Sequence, residues 1–175
     1  TAPYVKNRWR SFTLSVNYRT PAQIMEASSG VLAEINPTAQ QPRSIRRSAY
    51  DVELIDRADN TWLVVLQQTV HHMQNFHPGE KRTCGILVSP AVMGDLQAVM
   101  DTTILDRTVL DAAVSLVQDA KGLEFDYVII ADPVGMVEAS PQGLNDLFVA
   151  MTRATQALAI VHDGAVPYCL SDLVE

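Results

Sequence analysis

Three polar segments of the sequence combine charged side chains with a turn or a helix end, where binding and catalytic groups are often found. They read Asn17-Tyr18-Arg19-Thr20-Pro21, Ala120-Lys121-Gly122-Leu123-Glu124-Phe125-Asp126 and Phe148-Val149-Ala150-Met151-Thr152-Arg153-Ala154-Thr155. Arg19 and Arg153 are candidates for chemistry on an anion, because a guanidinium offers phosphate oxygens a fixed charge and a bidentate fork. Read singly, each residue has a simpler explanation: a surface ion pair for either arginine, a solvated loop acid for Glu124 and a half-buried anchor for Tyr18.

The elements that must position these residues alternate between strand and helix patterns. Strands are predicted at 12–16, 52–55, 84–88, 109–110, 113–116, 127–131 and 158–161, and helices at 21–35, 60–76, 90–100 and 142–151. Thr20 is the predicted N-cap of the first helix, and Asp59 or Asn60 that of the second. The alternation predicts a single α/β domain over residues 1–175, with a mostly parallel sheet and helices on both faces. Ligands of such sheets bind beyond the carboxyl ends of the strands, so we expect the polar segments there.

Composition excludes several classes of protein. With 175 residues and a net charge of −7, the chain is not a generally basic nucleic-acid binder. Hydrophobic residues at 47% and charged residues at 19% indicate a globular domain, and no apolar run is long enough to span a membrane. The isolated Cys84 and Cys169 predict neither a disulfide nor a zinc site and fit a reducing cytoplasm. A start at Thr1 rather than Met predicts a processed product or a piece of a longer protein.

Taken together, the polar segments resemble a known set of motifs. NYRT, AKGLEF and VAMTRA occur in the order of motifs IV, V and VI of the UvrD/Rep/PcrA-type superfamily 1 helicases. The resemblance runs from about Leu14 to Val161. It implies the C-terminal RecA-like domain (2A) of such a helicase, which has a P-loop NTPase fold without its own P-loop.

The resemblance also implies roles for individual residues at an ATP site. Arg19 and Arg153 match arginines that reach the γ-phosphate of ATP, a role worth roughly 10³ to 10⁵ in rate. Tyr18 matches a residue that stacks on the adenine, and Glu124 an acid that accepts hydrogen bonds from the ribose. Lys121 and Gly122 match the turn that sets this acid at the cleft.

The other half of that ATP site is not in the sequence. A nucleoside triphosphatase needs a GxxxxGK(S/T) phosphate loop, and the chain contains no Gly-Lys dipeptide. We therefore expect ATP and its Mg²⁺ to be bound mainly by an N-terminal RecA-like domain of the same polypeptide, and the 175-residue chain alone to be inactive. Asp56 and Asp132 are interpreted as strand-terminal acids and not as magnesium ligands. The clustered His71, His72 and His77 lack metal-ligand spacing.

Some features depart from the repair helicases. The interval between Arg19 and Lys121 is too short for their inserted subdomain, and Gln118 stands where many of them have a DNA-contacting histidine. The pattern is more similar to the HelD branch, whose members act on bacterial RNA polymerase. Single-stranded DNA and RNA polymerase are thus alternative partners. Six basic residues could form a patch for a nucleic-acid strand or an acidic protein surface, although a solvated face explains them more simply: Lys6, Arg8, Arg10, Arg43, Arg46 and Arg47.

Overall fold

Eight strands and six α-helices make up the part of the chain that the computed structural model describes, residues 16–99, 108–109 and 112–174. The strands are β1 (Val16–Asn17), β2 (Arg43–Ser44), β3 (Glu53–Asp56), β4 (Cys84–Val88), β5 (Thr108–Val109), β6 (Ala112–Leu116), β7 (Phe125–Ala131) and β8 (Ala154–His162). The helices are α1 (Ala22–Ala27), α2 (Ser29–Ile35), α3 (Trp62–Gln74), α4 (Pro90–Val99), α5 (Pro133–Glu138) and α6 (Gly143–Met151). A 3₁₀ helix, Tyr168–Leu173, follows the last strand.

The main sheet has six strands in the order β3-β8-β7-β4-β6-β5. Its neighbours pair in parallel except for the short edge strand β5, which runs antiparallel to β6. Strands β1 and β2 form a separate parallel pair. The predicted α/β class with a mostly parallel sheet is therefore confirmed.

Side chains alternate between the two faces of the sheet, as the period of a strand requires. Ile86 and Ile129 lie in a core beneath α3 and α4, whereas Leu87 and Val128 lie in a second core beneath α1, α2, α5 and α6. All four of these side chains are fully buried. Helices cover both faces, which explains why β4 and β7 read as continuous apolar runs.

The first predicted helix is divided in the structure. Ser28 separates α1 from α2, and its hydroxyl donates to the Met25 carbonyl at 2.9 Å, a back-bond that bends helices. Thr20 is not the N-cap of α1, because Pro21 occupies that position and provides no side-chain cap. Instead, the Asn17 Oδ1 accepts hydrogen bonds from the backbone N–H groups of Arg19 and Thr20.

Other element boundaries also differ from expectation. Thr61, and neither Asp59 nor Asn60, caps α3, because its hydroxyl accepts from the Val64 N–H. The segment 36–48, where no strand or helix was predicted, contains β2, and residues 12–15 of the first predicted strand lie outside the described ranges. The short helix α5 and the 3₁₀ helix were not predicted. Of the helices described, none is long and apolar enough to cross a membrane.

Candidate functional site

The three polar segments meet at one open cleft of about 450 Å³. Tyr18 and Arg19 come from the turn after β1, Glu124 from the turn before β7, and Arg153 from the end of α6. We call this feature the arginine cleft; its lining residues are Val16, Asn17, Tyr18, Arg19, Thr20, Pro42, Glu124, Thr152 and Arg153.

The arginine cleft lies at the amino ends of β7 and β8. Phe125 pairs with Ala154 in the parallel register of these strands, so Glu124 and Arg153, one residue earlier in each, stand side by side. Our expectation of a site beyond the carboxyl ends of the strands is therefore wrong for these two segments. The physical reason is that both segments precede their strands, and the starts of parallel strands meet at the same edge.

Arg19 is held by its backbone and by its side chain. Its N–H donates to the Asn17 Oδ1 at 2.8 Å, which fixes the turn after β1. Its guanidinium forms an ion pair with Glu124 through Nη1 and Oε1. The two side chains are 64% and 34% exposed, so water still reaches both.

Arg153 is tied to the turn before β7 through its side chain and its backbone. Its Nη1 donates to the Leu123 carbonyl at 3.2 Å, and its own carbonyl accepts from the Phe125 N–H at 3.1 Å. The Nε is buried and has no hydrogen-bond partner. The Nε atoms of Arg57 and Arg82 are also buried without a partner, so this feature is not specific to the cleft.

The remaining predicted residues differ in their relation to the cleft. Tyr18 is 72% exposed and lines the cleft. Gly122 has φ +83° and forms the turn before Glu124, a conformation that glycine adopts without strain. Lys121 and Gly122 both lie in this turn but are not among the described residues that line the cleft.

Sequence reasoning missed the function of Asn17 in this site. Its side chain closes the turn that carries Tyr18 and Arg19, with acceptor distances of 2.8 and 3.1 Å. The signal was available, because asparagine commonly accepts from backbone N–H groups two residues further on. The sequence assigned no role to Thr152. In the structure, its hydroxyl donates to the carbonyls of Phe148 and Val149 at the end of α6.

Four of the acidic and histidine candidates outside the cleft have protein partners; one of them is Asp56, which accepts from the Ala58 N–H. Asp132 follows β7 directly, and its carboxylate accepts from the Ser89 hydroxyl and the Gly135 N–H. His72 contacts Glu53 at 3.1 Å, and the His77 ring contacts the Tyr127 hydroxyl. Within the described ranges, no group of three or more His, Cys, Asp and Glu could hold a metal ion.

Half of the suggested basic patch can be located. Arg43, Arg46 and Arg47 lie on and after β2, and the Arg46 Nη1 is 3.5 Å from the Arg19 carbonyl. Arg47 is 3.8 Å from Glu26. Lys6, Arg8 and Arg10 lie outside the described residues.

Two comparisons with known proteins found similarity, one to a family model over part of the chain and one to the fold of a solved structure. Residues 111–161 match the family model described as the UvrD-like helicase C-terminal domain. The fold is similar to the crystal structure of the C-terminal domain of a possible DNA helicase from Lactobacillus plantarum WCFS1, with a TM-score of 0.59 and 20% sequence identity. That likeness covers 89% of this chain and 92% of the other. The comparison with curated proteins found no match.

The matched segment includes both Glu124 and Arg153. Neither comparison gives support to the HelD branch or to RNA polymerase as a partner. Residues 111–161 therefore carry the sequence pattern of a UvrD-like helicase C-terminal domain, within a fold that a helicase C-terminal domain also has.

Proposed function

We propose that this chain is the C-terminal motor domain of an ATP-dependent DNA helicase or translocase. It supplies Arg19 and Arg153 to a composite ATP site, whose phosphate loop belongs to an N-terminal RecA-like domain of the same polypeptide. The observation that carries the proposal is the convergence of three segments, distant in sequence, on the arginine cleft.

The two arginines act at the phosphate end of the nucleotide. Phosphoryl transfer places negative charge on the equatorial oxygens of the γ-phosphate, and guanidinium groups stabilise that charge. The residues present fit this task, because both arginines line the arginine cleft and much of the Arg19 side chain is exposed. Mg²⁺, bound mainly by the other domain, neutralises further phosphate charge when present.

Tyr18 provides a stacking surface at the nucleoside end of the site. Its exposed ring can lie against a planar base, which recovers apolar contact that the free domain leaves in water. Lys121 and Gly122 support the site indirectly, since they form the turn that presents Glu124. Glu124 faces the ribose in the arrangement that the motif resemblance implies.

The motor function follows from the division of the site between two domains. ATP held between them favours a closed arrangement, and hydrolysis releases it, so a single strand of DNA gripped by both domains is moved. The acidic net charge of −7 belongs to this half only. DNA binding therefore depends on local contacts and on the other domain.

The test is Arg153→Ala in the complete polypeptide. We expect ATP turnover to fall by roughly 10³-fold or more while nucleotide binding largely persists. Arg47→Ala is the matched control, because this exposed arginine pairs only weakly with Glu26 at 3.8 Å. Unchanged turnover in the Arg153→Ala protein would refute the assignment.

A second candidate is a HelD-like ATPase module that acts on RNA polymerase and does not unwind DNA. The short interval between Arg19 and Lys121 favours it, because no room remains for the inserted subdomain of repair helicases. Co-purification with RNA polymerase would favour this candidate. Salt-sensitive binding to single-stranded DNA would favour the first one.

A further inference from the structure

The turn that carries Tyr18 and Arg19 lies against a segment from further along the chain. Residues 43–48, which we call the brace, begin as β2, the parallel partner of β1. Exposure alternates along the brace, as it does along a strand with one covered face. Arg43, Ile45 and Arg47 are exposed, whereas Ser44, Arg46 and Ser48 are half-buried. One side of the brace therefore lies against the rest of the protein.

Ser44 joins the brace to the turn itself. Its hydroxyl donates to the Thr20 carbonyl at 2.6 Å. Thr20, the residue after Arg19, is buried, and its N–H donates to the Asn17 Oδ1 at 3.1 Å. Both main-chain polar groups of Thr20 therefore have partners, one inside the turn and one in the brace.

The brace also caps the helix that follows the turn. The first N–H groups of an α-helix have no partner within the helix, and Pro21 at the N-cap of α1 provides no side-chain acceptor. The Arg46 carbonyl takes this part, because it accepts from the Ala22 N–H at 2.7 Å. The start of α1 is thus fixed by a residue outside the helix.

Gln23 anchors the far end of the brace. Its side-chain Nε2 donates to the Ser48 carbonyl at 2.6 Å, and its Oε1 accepts from the Ser48 N–H at 3.0 Å. The brace is therefore attached at both of its ends and at its middle. The turn between β1 and α1 is held from outside as well as by Asn17.

We propose that Ser44 is a positioning residue, whose hydroxyl holds the turn so that Arg19 meets the phosphate end of the nucleotide. Among the described residues, Ser44 does not line the arginine cleft, so it acts through the turn. A displacement of about 1 Å at a site of phosphoryl transfer can cost on the order of 10²-fold in rate. The effect on turnover rests on the proposed function, whereas the hold on the turn does not.

The first test uses the 175-residue chain and needs no activity. In Ser44→Ala, hydrogen exchange of the Thr20 and Ala22 N–H groups, measured by NMR, should be about 5- to 10-fold faster, because the turn opens more easily without the hydroxyl. The matched control is Ser29→Ala, since the Ser29 hydroxyl also donates to a carbonyl at 2.6 Å, that of Glu26, outside the turn. The control should leave both rates unchanged. Unchanged rates in Ser44→Ala, or equal acceleration by both substitutions, would overturn the proposal.

The second test uses the complete polypeptide and separates positioning from general stability. Ser44→Ala should lower kcat for ATP about 10-fold and leave the Kd of the nucleotide nearly unchanged. Ser44→Thr, which keeps the hydroxyl, should recover most of the loss, and Ser29→Ala should keep full turnover. In an Arg19→Ala background, Ser44→Ala should have almost no further effect.

The outcomes separate this inference from the proposed function. A loss of the same size in the Arg19→Ala background would show that Ser44 does not act through Arg19, and would overturn the inference while the proposed function survives. Full turnover of Ser44→Ala beside an inactive Arg19→Ala protein would do the same. Full turnover of Arg19→Ala would instead count against the proposed function, and hydrogen exchange would still decide whether Ser44 holds the turn.

Discussion

At the scale of single residues, the arginine cleft keeps its cationic groups near one another by tying them to one turn. Arg19 reaches the Glu124 carboxylate, and Arg153 reaches the Leu123 carbonyl. One arginine is therefore held by the acid of the turn before β7, and the other by a main-chain carbonyl of the same turn.

The cysteines show how burial decides reactivity at this scale. Cys84 is buried in β4, and burial raises the pKa of its thiol to about 12, whereas Cys169 is only partly buried. We expect Cys84 to resist a thiol reagent at pH 8, because almost none of it is thiolate, and to react only as the protein unfolds. Reagent kinetics with and without urea measure this. The Cys169→Ser variant isolates Cys84, and rapid labelling of that variant without urea would contradict the prediction.

At the scale of elements, the amino ends of β4 and β7 are joined by Asp126. Its carboxylate accepts from the N–H and the hydroxyl of Thr83, both at 2.9 Å, and pairs with Arg82 at 3.3 Å. Burial raises the pKa of this carboxyl, but these hydrogen bonds and the Arg82 charge outweigh burial and hold the pKa below its usual value. The contact steadies β7 two residues after Glu124.

The lowered pKa of Asp126 predicts a pH-dependent contribution to stability. Since the native pKa lies below the unfolded value of about 3.9, the contribution is complete above that pH and is lost as the pH falls through the native pKa. We expect Asp126→Asn to lower the free energy of unfolding by about 1 to 2 kcal/mol at pH 7. Urea unfolding between pH 3 and pH 7 should show the difference shrinking in acid. A difference that is constant with pH would contradict this.

The carboxyl ends of β4 and β7 are joined by a second carboxylate, that of Asp132. The Asp132 backbone has φ +60°. Its carboxylate accepts from the Ser89 hydroxyl at 2.7 Å and from the Gly135 N–H at 2.9 Å, so it links the starts of α4 and α5. A methyl group at Gly135 would lie 2.0 Å from the Asp132 Oδ2. Only glycine therefore fits beside this carboxylate.

Gly135→Ala should lower the free energy of unfolding by about 2 to 3 kcal/mol, because the added methyl group displaces the Asp132 carboxylate. Gly94→Ala is the matched control in α4, where no atom lies within 4 Å of the added carbon. The control should be neutral or stabilise by up to about 1 kcal/mol, since alanine favours a helix interior. Equal effects of the two substitutions in urea unfolding would argue against the Asp132 contact.

At the scale of the whole molecule, the described residues form two cores on the two faces of the main sheet, and the arginine cleft lies at the amino ends of β7 and β8. The cleft offers two arginines and an exposed tyrosine. The sequence offers no phosphate loop. The proposed ATP site is therefore complete only when a second domain closes over the cleft.

The purified 175-residue chain should accordingly show no ATP turnover above background in a phosphate-release assay. A complete polypeptide that includes an N-terminal RecA-like domain should show turnover that depends on Arg153. Robust hydrolysis by the 175-residue chain alone would contradict the composite site. The comparison tests the division of the site and not the role of any one side chain.

The sequence by itself determined the α/β class and pointed to Tyr18, Arg19, Glu124 and Arg153, four of the residues that line the cleft, because both depend on local signals. Continuous apolar runs such as Cys84–Val88 specify buried parallel strands, and the Arg19, Glu124 and Arg153 segments are recognisable as motifs. Short elements such as α5 escaped prediction, since six residues give too little periodicity to detect.

Only the tertiary structure decided where those residues meet and what they contact. The register that pairs Phe125 with Ala154 brings Glu124 beside Arg153 at the amino edge of the sheet, opposite to the edge expected from the usual rule. The ion pair between Arg19 and Glu124 joins segments about a hundred residues apart, for which no local pattern exists. Residue types and spacing are written along the chain, whereas contacts between distant segments arise only when strand pairing and packing fix their separation.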